Sequence, residues 1–242
     1  MSKLRKDTLQ VSGFPERGNL SAGLVILSGG LDSTVLTYDL VHRYGAKNLI
    51  ALTFNYGQKN SPEISMARRT CRKLGLNQIL IDTRFVAKLV SNQCALVHGT
   101  GLGIQKVVRK SEQPNTYVPF RNAFMAITAL MYAETHGVNN IFLGIQRHDL
   151  YRYWDCEQEF VTQMQMLIAQ SGSSIWLNAP YLKLSKAEEI KIGLELGVPF
   201  EDTWTCYNPD RAGKRYKACG LCGSCQEREL NFKKAKIADP VA

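Results

Sequence analysis

The chain has 242 residues, enough for one α/β domain with a modest appendage and a large core. Apolar residues make up 45% and charged residues 21%, ordinary for a soluble globule, and no apolar run approaches the ~20 residues of a membrane span. The net charge of +9 suits phosphorylated or acidic ligands, but the Lys and Arg residues are spread along the chain, the pattern of a solvated surface rather than a nucleic-acid groove.

Residues 1–22 are charged and lack the apolar core of a secretory leader, so they are expected to form a tail or edge segment of a cytoplasmic protein. Leu24 to Leu27 reads as a short buried strand. Ser28, Gly29 and Gly30 follow as a tight loop, and Asp32 and Ser33 are suited to cap a helix over Thr34–Tyr44. A second strand is expected over Lys47–Phe54, a helix from Ser61-Pro62-Glu63 to Leu74, and a third strand over Gln78–Ile81. This alternation predicts a parallel sheet with right-handed crossovers. Residues 84–115 are irregular, with a glycine-rich mobile loop expected over His98–Gly103.

Asn122 is expected to cap a helix over Ala123–His136, followed by a fourth strand at Asn140–Ile145 and a helix over Glu157–Gln170. A short fifth strand falls at Ile175–Leu177. Ser185 with Glu188 spells a capping box for a helix to Leu196. The expected architecture is a five-stranded parallel sheet with helices on both faces. It divides into a tail (1–22), an α/β domain (23–199) and a small metal-binding helical segment (200–242).

Two constellations carry chemistry. The strand–glycine loop–helix junction at residues 24–34 is an anion site, because unpaired N–H groups and the helix dipole converge there. It is neither a Walker A loop, which needs G-x-x-x-x-G-K-[ST], nor a G-x-G-x-x-G dinucleotide turn. Four of the seven cysteines fall at Cys206, Cys219, Cys222 and Cys225. That spacing suits a closed, structural Zn²⁺ site, with an iron–sulfur cluster as the competing reading. The four histidines do not cluster in the sequence.

Taken in order, S-G-G-L-D-S at 28–33, Tyr56-Gly-Gln58, Val118-Pro-x-Arg-Asn122, Asp155-Cys156, Leu184-Ser-Lys186, Thr203-Trp-Thr-Cys-Tyr207 and the cysteine knuckle resemble the QueC family. These are the 7-cyano-7-deazaguanine synthases of the PP-loop ATP pyrophosphatase superfamily, with the adenine nucleotide alpha hydrolase-like fold. The resemblance covers about residues 23–239. It implies a cytoplasmic enzyme of queuosine biosynthesis, a carbon–nitrogen ligase that adenylates 7-carboxy-7-deazaguanine with ATP and Mg²⁺. Ammonia then displaces AMP, and a second ATP drives dehydration of the amide to the nitrile.

By the same resemblance, Leu27, Ser28, Gly29, Gly30, Leu31, Asp32, Ser33 and Thr34 hold the ATP phosphates. Phe54, Tyr56, Gly57 and Gln58 border the adenine, and Lys186 approaches the phosphates. Asp32, Ser33 and Arg121 serve catalysis, and Pro119, Arg121, Asn122, Asp149, Tyr153 and Asp155 face the acid. A homodimer is expected, with no membrane or nucleic-acid partner.

The chain departs from the family pattern at three places. Asn60 stands where Y-G-Q-x-H ends, and Phe120 replaces the glycine of V-P-G-R-N. Leu150, Tyr151, Arg152 and Trp154 replace small residues and proline ahead of Asp155-Cys156, with Glu157 after them. Some QueC-like proteins of antiviral defence systems join the deazaguanine acid to an amine of another protein. The bulky stretch, with Asp149 and Asp155, makes a partner-protein amine the alternative acceptor, leaving an amide. A zinc-knuckle nucleic-acid module without catalysis is the third and least favoured reading.

Overall fold

Apolar residues occupy both faces of the strands, and the chain covers both faces with helices. The computed structural model describes residues 23–105, 114–146, 153–212 and 215–241. The elements in chain order are β1 (Gly23–Ile26), α1 (Leu31–Tyr44), β2 (Leu49–Asn55), α2 (Pro62–Leu74), β3 (Asn77–Asp82), α3 (Phe85–Val90) and α4 (Arg121–His136). They continue with β4 (Asn140–Leu143), α5 (Gln158–Gln170), β5 (Trp176–Asn178), α6 (Lys186–Glu195), β6 (Asp210–Ala212), β7 (Arg215–Lys217) and α7 (Gly223–Ala235).

Strands β1 to β5 form one parallel sheet in the order β3-β2-β1-β4-β5. Leu24 lies between Ile50 and Ile141 in register. Side chains alternate between the two faces. Leu24, Leu52 and Ile141 pack with Ala126, Ala129 and Ala133 of α4 and Phe160 and Met164 of α5. Val25, Ala51 and Phe142 pack on the other face with Val35, Leu36 and Leu40 of α1, Ala67 of α2 and Ile190 of α6. Burial on both faces is why β1, β2 and β4 read as continuous apolar runs, while the edge strands β3 and β5 are partly exposed.

Residues after 199 are packed onto this body. Phe200 and Phe232 belong to the α1–α6 core and meet edge to face at 5.2 Å. Buried Arg228 clamps the segment, donating to Asp239 (2.7 and 2.9 Å), Thr203 Oγ1 (2.8 Å) and the Phe200 carbonyl (3.0 Å). No helix among the described residues is long and apolar enough to cross a membrane.

Several expectations are corrected. Helix α1 starts at Leu31 rather than Thr34, and its N-cap is Gly30, not Asp32 or Ser33. The Ser33 hydroxyl is engaged with the loop, accepting from Ser28 N–H at 3.2 Å. Helix α4 is capped at Phe120, not Asn122, whose side chain donates instead to the Asp155 carbonyl (3.1 Å) and Cys156 Sγ (3.4 Å). The stretch read as irregular contains α3, six residues long and too short to show a helical period. The hairpin β6–β7 was not foreseen, because three residues a side cannot show alternation. The capping box at Ser185 forms as expected, with Ser185 N–H donating to Glu188 Oε2 at 2.8 Å.

Candidate nucleotide site and cysteine cluster

From β1 the chain moves through α1 to β2 on one side, while β4 lies on the other side of β1. The loops after β1 and β4 therefore diverge, and a crevice opens at the carboxyl ends of these strands. A cleft of about 1120 Å³, including its open mouth, lies there. The loop at its floor is pressed from two sides. A Cβ on Gly29, whose φ is +90°, would lie 2.0 Å from the Glu63 carbonyl oxygen of α2. A Cβ on Gly144 would lie 2.7 Å from Ser33 Cα. Side chains at either position would push the start of α1 out of the crevice.

The leading N–H groups of α1 have no intrahelical partner, so they and the helix dipole offer an anion a site at the loop. Gly30 N–H donates to Ser28 Oγ (3.1 Å), and the Ser28 and Ser33 hydroxyls lie 3.0 Å apart, which sets the loop's shape. Asp32 and Lys186 also line the cleft. Lys186 Nζ lies 3.3 Å from both Asp32 Oδ1 and Glu227 Oε2. Burial pushes the Lys186 ammonium down, but Asp32, Glu227 and Glu189 more than offset this and hold it above its ordinary range. Glu189 is fully buried, and its carboxyl lies against that of Asp32. Burial first, then Asp32, raises its pKa well above the carboxylate range.

The facing wall comes from β2, its loop and the start of α4. Arg121 Nη1 donates to Tyr56 OH at 3.3 Å, and both residues line the cleft. Burial works against the Arg121 charge, and Tyr56, Tyr207 and Asp155 outweigh it, leaving a planar cation at the cleft. Asn122 also lines the cleft, and its N–H donates to Asp155 Oδ2 at 3.2 Å. Tyr153 is buried and stacks on Tyr117, while Pro119 is exposed. Phe54 sits in the core rather than at the cleft. Gln58 is buried and acts as a clamp, donating to the Phe54 carbonyl (3.1 Å) and Glu63 Oε1 (2.9 Å). Asp149 and the other residues of 147–152 lie outside the described residues.

Glu63 also accepts from Asn60 Nδ2 at 2.6 Å. Burial pushes its pKa up to about 7, against the opposing pull of Gln58 and Arg121. A carboxyl that holds its proton more tightly when folded lends stability at low pH and loses it as pH rises through the folded value. Stability should therefore fall from about pH 5 to about pH 8, by up to about 3 kcal/mol from this group. Glu63→Gln should flatten that fall in melting temperature. Parallel profiles for the two proteins would show that Glu63 does not titrate in this window.

Sequence reasoning missed Glu189, Glu227, Trp204 and Gln146. The cleft is lined by Glu227, Trp204 and Gln146. For Gln146 a signal existed: it lies just past a strand end at the reversal of strand order, where α/β sheets place ligand contacts. Trp204 falls inside the Thr203-Trp-Thr-Cys-Tyr207 motif, and Glu189 and Glu227 are brought in by packing alone.

At the other end of the Trp204 segment, the four sulfurs of Cys206, Cys219, Cys222 and Cys225 lie within 4.8 Å of one another. Zn–S bonds of ≈ 2.3 Å in a tetrahedron put sulfurs about 3.8 Å apart, so the set fits one ion. Cys219 N–H donates to Cys206 Sγ (3.3 Å), and Leu221 and Cys222 N–H donate to Cys219 Sγ (3.4 Å each). Such donors favour thiolate over thiol, as a metal site requires. These residues could hold a metal ion such as zinc.

The parallel sheet and its Ser-Gly-Gly-Leu-Asp-Ser loop define an α/β protein of the PP-loop class. The family model for queuosine biosynthesis protein QueC matches residues 22–236. A 7-cyano-7-deazaguanine synthase of Clostridium kluyveri is 36% identical over 92% of this chain and 97% of its own length. One from Methanospirillum hungatei is 35% identical over 89% of this chain and 96% of its own. Among solved structures, an NH3-dependent NAD synthetase from Campylobacter jejuni is similar at a TM-score of 0.47 and 14% identity, covering 76% of this chain and 68% of that one. The chain belongs to the QueC family, a family of ATP-dependent enzymes.

Proposed function

We propose that this chain activates 7-carboxy-7-deazaguanine as its adenylate and converts it, with ammonia and a second ATP, to 7-cyano-7-deazaguanine. One observation carries this: the loop, the start of α1 and two partly buried cations, Arg121 and Lys186, line a single cleft. Leu27 to Thr34 would cradle the phosphates, with Lys186 beside them. Mg²⁺ would enter with the nucleotide, and the Asp32 carboxylate and loop hydroxyls are the hard oxygen donors it takes. Tyr56 would flank the adenine, with Phe54, Gly57 and Gln58 shaping that wall from behind. Arg121 would pair the carboxylate as it reaches the α-phosphate. Pro119, Asn122, Asp149, Tyr153 and Asp155 are assigned to the acid's side. The cysteines would hold a structural Zn²⁺ that stiffens the segment carrying Trp204.

In the first step a carboxylate oxygen attacks the α-phosphorus and pyrophosphate leaves. Ammonia then attacks the acyl carbon, and AMP leaves with its oxygen. The amide oxygen then attacks the α-phosphorus of a second ATP, pyrophosphate leaves, and the oxygen departs as part of AMP while two protons are lost from nitrogen. The charges that develop on phosphate and carbonyl oxygens are anionic, so fixed N–H donors and cations stabilise them, and because ammonia is the nucleophile no nucleophilic side chain is required. Mass spectrometry of the products from the acid, ATP-Mg and ammonium tests this, with nitrile and two AMP per nitrile expected. Absence of AMP would overturn the adenylation step.

A second acceptor has a specific observation behind it. Phe120 and Trp154, two departures from the family pattern, meet edge to face at 5.2 Å beside the cleft residues Arg121 and Cys156. They are 64% and 40% exposed, an aromatic rim of the kind that anchors a protein partner. Phe120 holds φ +56°, the left-handed conformation that glycine adopts freely, so the ring is kept there at a cost in backbone energy. AMP release without nitrile, together with deazaguanine amide on a partner's amine, would establish this acceptor. The homodimer is supported by the exposed apolar residues Phe85, Leu89, Ile127 and Met131 on α3 and α4.

A further inference from the structure

Gln146 is 3% exposed, and neither its Nε2 nor its Oε1 has a hydrogen-bond partner among the described residues. A buried primary amide with both ends unpaired is costly, and native proteins rarely leave one so unless a ligand or water completes it. Gln146 lines the cleft two residues past Gly144, on the β4 flank of the loop. On the β2 flank stand Tyr56 and Asn60. A carboxylate joined to the α-phosphate must straddle the loop, so the ring systems of nucleotide and acid lie to either side of it.

We infer that Gln146 reads the pyrimidinone edge of the acceptor acid, its Oε1 accepting from a ring N–H and its Nε2 donating to the neighbouring carbonyl or ring nitrogen. A side-chain amide offers one donor beside one acceptor, the complement of that edge. Gln146 is thus a specificity-determining residue of the acid pocket. The inference rests on the acid being the substrate, as proposed above. Adenine presents a similar donor–acceptor pair, so the two rings must be tested separately.

The test uses the full chain, with AMP release read against the acid and against ATP in turn, for wild type, Gln146→Leu and Gln146→Glu. Gln146→Leu should raise KM for 7-carboxy-7-deazaguanine by roughly 10- to 100-fold and leave KM for ATP within about twofold. Wild type should also discriminate against the N1-methylated acid by about tenfold or more, a comparison that needs no variant to fold. Unchanged KM for the acid, a shift in KM for ATP alone, or equal use of the methylated acid would overturn the inference. Wild type that releases no AMP with the acid would instead overturn the substrate reading, and the inference with it.

Discussion

Asp32→Ala is expected to abolish AMP formation while leaving the fold intact, a loss of about 10²–10³-fold or more in kcat. Asp32 lies in the first turn of α1 and lines the cleft, with Oδ1 3.3 Å from Lys186 Nζ. Removing it takes away the carboxylate beside the lysine and, in the proposed mechanism, an oxygen donor for Mg²⁺. The fold should survive, because Lys186 keeps Glu227 at 3.3 Å and the core contacts of α1 come from Leu31, Val35, Leu36 and Leu40. A buried ammonium stripped of every counter-charge would be a different case. Chromatographic assay of AMP beside a thermal melt separates the two effects. Wild-type AMP release from a folded Asp32→Ala protein would remove Asp32 from the chemistry.

Replacing Cys206 with Ser is expected to lower bound metal and melting temperature together, the latter by roughly 10 °C or more. Cys206 is tied to the nucleotide loop by its neighbour. Trp204 Nε1 donates to the Cys206 carbonyl at 2.9 Å, and Trp204 N–H donates to the Gly29 carbonyl at 2.9 Å. Trp204 itself packs with Cys206 and Cys222. Loosening the cysteines should therefore reach the loop, and KM for ATP should rise as the metal is lost. Elemental analysis of wild type should return one zinc per chain. Iron, or active protein free of metal, would contradict the zinc assignment.

Much of this protein is determined locally and was legible in the residue order. Five apolar runs are strands because each is short and bounded by turn residues, and the three central ones are buried on both faces. Ser185 and Glu188 announce α6 because both partners of a capping box lie within one turn. The cysteine spacing is legible as a cluster that could hold a metal because Cys219, Cys222 and Cys225 lie within a single tight turn and its helix. The Ser-Gly-Gly-Leu-Asp-Ser loop is legible for the same reason: the hydrogen bonds of its serine hydroxyls join residues at most five apart.

What the tertiary structure alone decided joins residues far apart. Arg121 meets Tyr56 across 65 positions, and Lys186 meets Glu227 across 41. Nothing in either local sequence encodes the pairing, which follows from strand order and from the packing of α7 on α6. The caps at Gly30 and Phe120 differ from expectation because Ser33 bonds within its loop and Asn122 bonds to Asp155 and Cys156 instead of their own helix ends, a competition only the folded contacts settle. Gln146 and Glu189 look ordinary in the chain. Their meaning comes from burial, for Gln146 without a partner among the described residues and for Glu189 against Asp32, a property of the volume around a side chain that its neighbours in sequence do not control.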